Sequence, residues 1–88
     1  MIKMITFKLN ILSAGDKVDY TQRIRNLRED ADMTQSEIAN ILGTSQTMYA
    51  RYERGANEMP IRHLIALCRY YKVSADYILG LSNKKKSI

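Results

Sequence analysis

Proline occurs once in this 88-residue chain and glycine four times. So small a supply of turn-forming residues argues against a sandwich of many short strands and leaves room for long helical runs. The single cysteine, Cys68, cannot close an internal disulfide, which agrees with a reducing cytoplasm. His63 is the one histidine and has no Cys or carboxylate cluster around it in sequence, so neither a metal nor a cofactor is expected. No apolar run is long enough to span a bilayer, and no membrane partner is expected. Lys3 precedes an apolar stretch ending at Ser13-Ala14-Gly15, but Lys8 and Asn10 interrupt it, so a cleaved leader is not expected either. The chain also lacks metal-ligand spacing, a nucleophile–base pairing and a phosphate-cradling glycine loop. No enzymatic activity is expected.

What is present bounds a single small domain with a modest core, most easily built from local helical contacts. The net charge of +5 comes largely from the ends. Lys84, Lys85 and Lys86 contribute +3, whereas residues 20–83 hold eight basic against seven acidic side chains. Composition therefore supports an anionic partner only weakly.

The informative stretch is TQSEIANILGTSQTMYARYERG, residues 34–55. Thr34 and Glu37 have capping-box spacing, and Met33 and Ile38 can staple across that start. Ile38, Ala39 and Leu42 share one helical face, and Gly43 suits the left-handed residue that ends a helix. After a short turn, Ser45 is a good N-cap for a second helix from Gln46 to Arg54, stopped by Gly55. Tyr49 and Tyr52 can face inward, leaving Gln46, Thr47, Ala50 and Arg51 outward. Two helices joined by a short glycine turn form a helix-turn-helix unit, whose second helix can enter a major groove about 12 Å wide. Gln and Arg can meet adenine and guanine edges with two parallel bonds, and Ala50 can touch a thymine methyl. Spacing alone also permits an ordinary helical hairpin with a solvated polar face.

From about Tyr20 to Gly80 the chain resembles the phage repressor and Cro-type (Xre-family) helix-turn-helix domain. The resemblance rests on IRNLRED (24–30), TQSEIANILG (34–43), YARYERG (49–55), the helix from Pro60 to Tyr71, and VSADYILGL (73–81). Each piece is weak alone, but together they stand in the family's order and with its gaps. The resemblance implies an all-α, five-helix, lambda-repressor-like DNA-binding domain over 19–81. It implies double-stranded DNA as partner, with Gln46, Thr47, Ala50 and Arg51 against base edges. Gln35, Ser45, Arg54, Asn57 and Arg62 are the expected phosphate contacts, although Glu58 in the same loop would repel phosphate. It also implies a structural ion pair between Arg28 and Glu53, tying the first helix to the third. One domain offers few base contacts, so a homodimer on a pseudo-palindromic operator is expected, with no small-molecule ligand. The alternative is a protein-interaction module on the same scaffold, such as an antitoxin or anti-repressor.

Asp19 is expected to cap the first core helix, with Gln22 three residues on. Tyr20, Ile24, Leu27 and Ala31 form its inner stripe, and Arg23, Arg25 and Glu29 are placed in solvent. Pro60 suits the first turn of the fourth helix, whose inward stripe is Leu64, Leu67, Cys68 and Tyr71. Cys68 is then a small buried apolar residue. Ser74 caps a last short helix ended by Gly80, beyond which Ser82 to Ile88 read as a solvated basic tail. Residues 1–18 stand apart as an N-terminal arm. Ile5, Phe7, Leu9 and Ile11 alternate with polar residues as in a half-buried strand that could pair with a second copy, although a disordered or helical arm fits as well.

Overall fold

Short polar residues start four of the helices, and left-handed residues end all of them. A computed structural model of the protein describes residues 19–86, and the N-terminal arm lies outside the described residues. Five helices follow in order: α1 (Tyr20–Asp30), α2 (Gln35–Leu42), α3 (Gln46–Arg54), α4 (Ile61–Tyr71) and α5 (Ala75–Ile78). Among the described residues there is no strand.

Asp19 Oδ1 accepts from the Gln22 N–H at 3.3 Å, and Ser45 and Ser74 accept from Met48 and Tyr77, each at 3.0 Å. At α2 the capping box is complete: Thr34 Oγ1 accepts from Glu37 N at 3.1 Å, and Glu37 Oε1 accepts from Thr34 N at 2.8 Å. Gln22 does not reach back to close a similar box at α1, because its amide donates forward to Asn26 Oδ1 at 2.9 Å. Pro60 stands one place earlier than expected, as the N-cap of α4 with extended ψ of 151°. Its carbonyl already accepts from the N–H groups of His63 and Leu64.

The helix ends share one device, a left-handed residue followed by an N–H that bonds five residues back, as in a Schellman motif. These bonds are Met33 to Arg28 (3.0 Å), Thr44 to Ala39 (3.0 Å), Ala56 to Arg51 (2.9 Å), Val73 to Cys68 (3.1 Å) and Leu81 to Asp76 (2.8 Å). Gly43 and Gly55 take φ of 75° at no steric cost, but Asp32 at 56° and Lys72 at 59° carry a Cβ in that region.

Ile24, Leu27, Ile38, Ala39, Leu42, Tyr49, Tyr52, Leu67 and Ile78 are buried together and draw on all five helices. Tyr49 and Tyr52 meet edge to face, with ring centroids 6.3 Å apart. Two positions differ from the expected pattern on α1. Ala31 is exposed, since the helix stops at Asp30 and the chain turns away at Asp32. Arg23, placed in solvent by periodicity, is only 7% exposed. Its guanidinium lies 4.0 Å above the Tyr77 ring and donates to the carbonyls of Tyr77 and Ser82 and to Asn83 Oδ1. The segment after α5 is therefore fastened to α1 through its backbone, and Ser74 N–H also donates to the Lys85 carbonyl. Its lysines remain exposed.

Candidate nucleic-acid interface

Only Gly43, Thr44 and Ser45 separate α2 from α3, because Ser45 caps the second helix directly after the left-handed glycine. The rear of α3 is Tyr49, Tyr52 and Glu53, all buried. With that side fixed in the core, helical periodicity turns Gln46, Thr47, Ala50 and Arg51 the other way. Gln46 and Thr47 are exposed, while Ala50 and Arg51 are half-buried.

Glu53 is the brace. Its side chain is 1% exposed and that of Arg28 14%, and Arg28 approaches it with two nitrogens, Nε at 2.7 Å and Nη2 at 3.1 Å. Arg28 Nη1 donates to the Met33 carbonyl at 2.9 Å, so the same guanidinium also holds the α1–α2 connection. Arg25 adds a second, more distant cation, 3.8 Å from the carboxylate. Burial pushes the Glu53 carboxyl upward, but bonds from Arg28 and Gln35 and the neighbouring Tyr49 hydroxyl outweigh it and hold the group below the ordinary range. Glu53 thus stays ionised and paired. Such a pair fixes geometry more than it adds stability, since the attraction must first offset the desolvation of both charges.

From this pair a polar chain runs to the surface. Gln35, the first residue of α2, donates from Nε2 to Glu53 Oε1 at 3.0 Å, and its Oε1 accepts from Gln46 Nε2 at 2.8 Å. The first residues of α2 and α3 are thereby linked to each other and to the buried ion pair. On the other flank Arg51 Nε donates to Asn57 Oδ1 at 2.6 Å, across the loop that follows α3. Ser45 is exposed and its hydroxyl serves as the α3 cap, while Arg54 and Arg62 are both exposed. Glu58 is also exposed in the loop, a carboxylate on the same side of the sequence as these cations.

The structure therefore joins Gln35 to Gln46 and Arg51 to Asn57 and leaves Thr47, Arg54 and Arg62 extended into solvent. The two joined pairs were missed in the sequence. A signal for the second was present, since an Arg four before Gly55 and an Asn two after it flank one Schellman turn. Burial raises the Cys68 thiol, which leaves it less reactive than an exposed one. Among the described residues no group of three or more His, Cys, Asp or Glu could hold a metal, and no helix is long and apolar enough to cross a membrane.

A capped helix, a three-residue glycine turn and a second helix with a polar front and a locked rear define a helix-turn-helix unit. The family HTH_3, described as helix-turn-helix, matches residues 24–78, and the chain belongs to this family of Xre/Cro-C1 type helix-turn-helix domains. It is similar to the "Uncharacterized HTH-type transcriptional regulator YobD" of Bacillus subtilis (strain 168), at 39% identity over 73% of this chain and 57% of that protein. It is also similar to the antitoxin PezA of Streptococcus pneumoniae, at 34% identity over 67% of this chain and 37% of the relative. The chain thus spans between about one third and three fifths of the length of these relatives. Among solved structures, the P22 c2 repressor in complex with synthetic operator 9T superposes with a TM-score of 0.67. That likeness is at 26% identity, over 74% of this chain and 98% of the repressor chain.

Proposed function

We propose that this chain is a sequence-specific transcriptional regulator, a repressor that inserts α3 into the major groove of a pseudo-palindromic operator as a homodimer. The observation that carries this is the front of α3: Gln46 and Thr47 stand exposed at its first turn, with Arg51 on the same face, on a helix held from behind by the Arg28–Glu53 pair. Gln46, Thr47 and Arg51 meet base edges, and Ala50 offers a methyl contact. The first turn of α2 leaves N–H groups that point along the helix axis, and Gln35, Ser45, Arg54 and Arg62 are the side chains proposed to meet backbone phosphates, with Asn57 treated separately below. Such contacts set register without reading sequence.

One such domain makes few base contacts, so two copies are needed, with recognition helices ~34–36 Å apart on one turn of duplex. On this reading 19–81 is the DNA-binding domain and 82–88 a basic tail adding sequence-independent affinity, while the arm at 1–18, a candidate for pairing the two copies, lies outside the described residues. The protein works in the cytoplasm without cofactor or ligand. Selection from a random duplex pool, followed by competition in graded salt, tests this reading. It expects a palindromic consensus and a steep loss of affinity with salt. Recovery of no consensus would refute it.

A second reading, an antitoxin-like protein-interaction module, is favoured by the similarity to PezA and by the exposed Ile61 and Leu81, at 72% and 73%. It expects a stable complex with a protein partner and no sequence preference in the same titration.

A further inference from the structure

We propose that Asn57 is a positioning residue that aims Arg51, and that it reads sequence through Arg51 in place of contacting phosphate itself. The inference rests on the DNA reading above. Arg51 is tied to the loop that follows α3 through both its backbone and its side chain. Its carbonyl accepts from Ala56 N at 2.9 Å, which fixes the loop backbone, and its Nε donates to Asn57 Oδ1 at 2.6 Å. An arginine side chain has several rotatable bonds, and holding one in place costs entropy at the moment of binding. Here that ordering is done before any partner arrives.

The nitrogen that Asn57 occupies matters. Nε lies on the side of the guanidinium, and the two terminal nitrogens hold no protein acceptor among the described residues. Those two can donate side by side to O6 and N7 of guanine. The bond therefore fixes the plane of the fork and leaves its prongs free. Asn57 is itself half-buried and its Oδ1 serves Arg51, while its amide NH2 is the one group that could donate to a phosphate, so the two roles are separated by the variants below. Asp in place of Asn keeps the acceptor and adds a charge; Ala removes the acceptor.

Two measurements on the full chain test this. In the DNA-free protein, the Arg51 Nε–H resonance is expected to be single and slow to exchange in the wild type and in Asn57→Asp, and exchange-broadened in Asn57→Ala. In selection from a random duplex pool, Asn57→Ala is expected to relax preference at the one base pair that Arg51→Ala also relaxes. Its loss on the preferred site is roughly tenfold, within the range one bidentate base contact carries. The double variant should lose little more than Arg51→Ala alone. Asn57→Asp should keep the base preference while binding every sequence more weakly. A uniform loss for Asn57→Ala with an unchanged consensus and a shallower salt slope would make Asn57 a phosphate contact and overturn the proposal, as would additive losses or an unaltered Nε–H. A wild type with no sequence preference is a separate result: it would overturn the DNA reading, and this inference with it, before any variant is compared. Thermal melts of all variants identify a loss caused by unfolding.

Discussion

Replacing Glu53 by Ala removes a carboxylate that is 1% exposed and accepts from Arg28 and Gln35. The Arg28 guanidinium stays behind, 14% exposed, with only the Met33 carbonyl still within reach. Breaking a buried pair from one side costs about 3–5 kcal/mol, because the remaining charge is uncompensated. A small domain has about 5–15 kcal/mol in total, so Glu53→Ala should be severely destabilised or unfolded at room temperature. With roughly 4–8 °C lost per kcal/mol in a domain of this size, the melting temperature falls by about 12–40 °C. The informative arm is the double variant Arg28→Met with Glu53→Leu. It removes both charges and refills the space with apolar atoms, and buried pairs replaced in this way are often neutral or better. The double variant should therefore melt above Glu53→Ala and above Arg28→Met alone. With the single variant Glu53→Leu added, urea titrations of the wild type, the two matching single variants and the double variant give the coupling energy, and because the pair is buried it should change little with salt. Single losses below about 1 kcal/mol that simply add in the double variant would show the pair to be an ordinary surface contact.

The remaining expectations concern the helix ends, the lone histidine and the tail. Gly55→Ala places a Cβ at φ of 75° with only the Thr21 methyl nearby, at 3.8 Å, so its cost is backbone strain of about 1–2 kcal/mol without a clash. Lys72→Gly relieves the same strain at φ of 59° and should raise stability in the same denaturant assay, by up to about 1 kcal/mol. His63 is 4% exposed, and burial first, then the charge of Arg62, holds its pKa below the ordinary value. Its contribution is complete above about pH 6.5, where the unfolded chain is neutral too, and declines as pH falls toward the lower folded value. Melting temperatures read from pH 7 to pH 5 should fall, and His63→Phe should flatten that slope. The Glu53 carboxyl, also depressed, adds loss only below the unfolded carboxylate range near pH ~4.3, as pH falls through its folded value. Arg23→Ala should free the segment after α5, seen as faster proteolysis between Ser82 and Lys86 at a pace the Arg28 variants do not share.

The helix boundaries were legible because their causes are local. Asp19, Thr34, Ser45 and Ser74 each bond within three residues, and Gly43, Gly55 and Gly80 each end a helix by their own φ. The inward tyrosines of α3 followed from spacing alone. Arg23 could not be read in this way, since its partners Tyr77, Ser82 and Asn83 lie more than fifty positions downstream. The expected stripe of α4 also left out His63, which stands one position from it yet is buried and packs 5.8 Å from the Tyr52 ring. Within the candidate site, sequence supplied the residues but not their pairing. Gln35 was expected to face a phosphate, and the structure gives it two protein partners first.

Because α3 keeps its anchoring side chains and its outward ones on opposite sides, the two sets can change independently. The buried side fixes where the helix lies, and the outward side carries little of the weight of the fold. On the DNA reading proposed above, a lineage carrying this scaffold can therefore acquire a new address on the chromosome through a handful of surface replacements, with its thermal tolerance almost intact. The exceptions are position 51, where any newcomer must also settle its terms with the neighbouring loop, and position 46, where it must do so with Gln35.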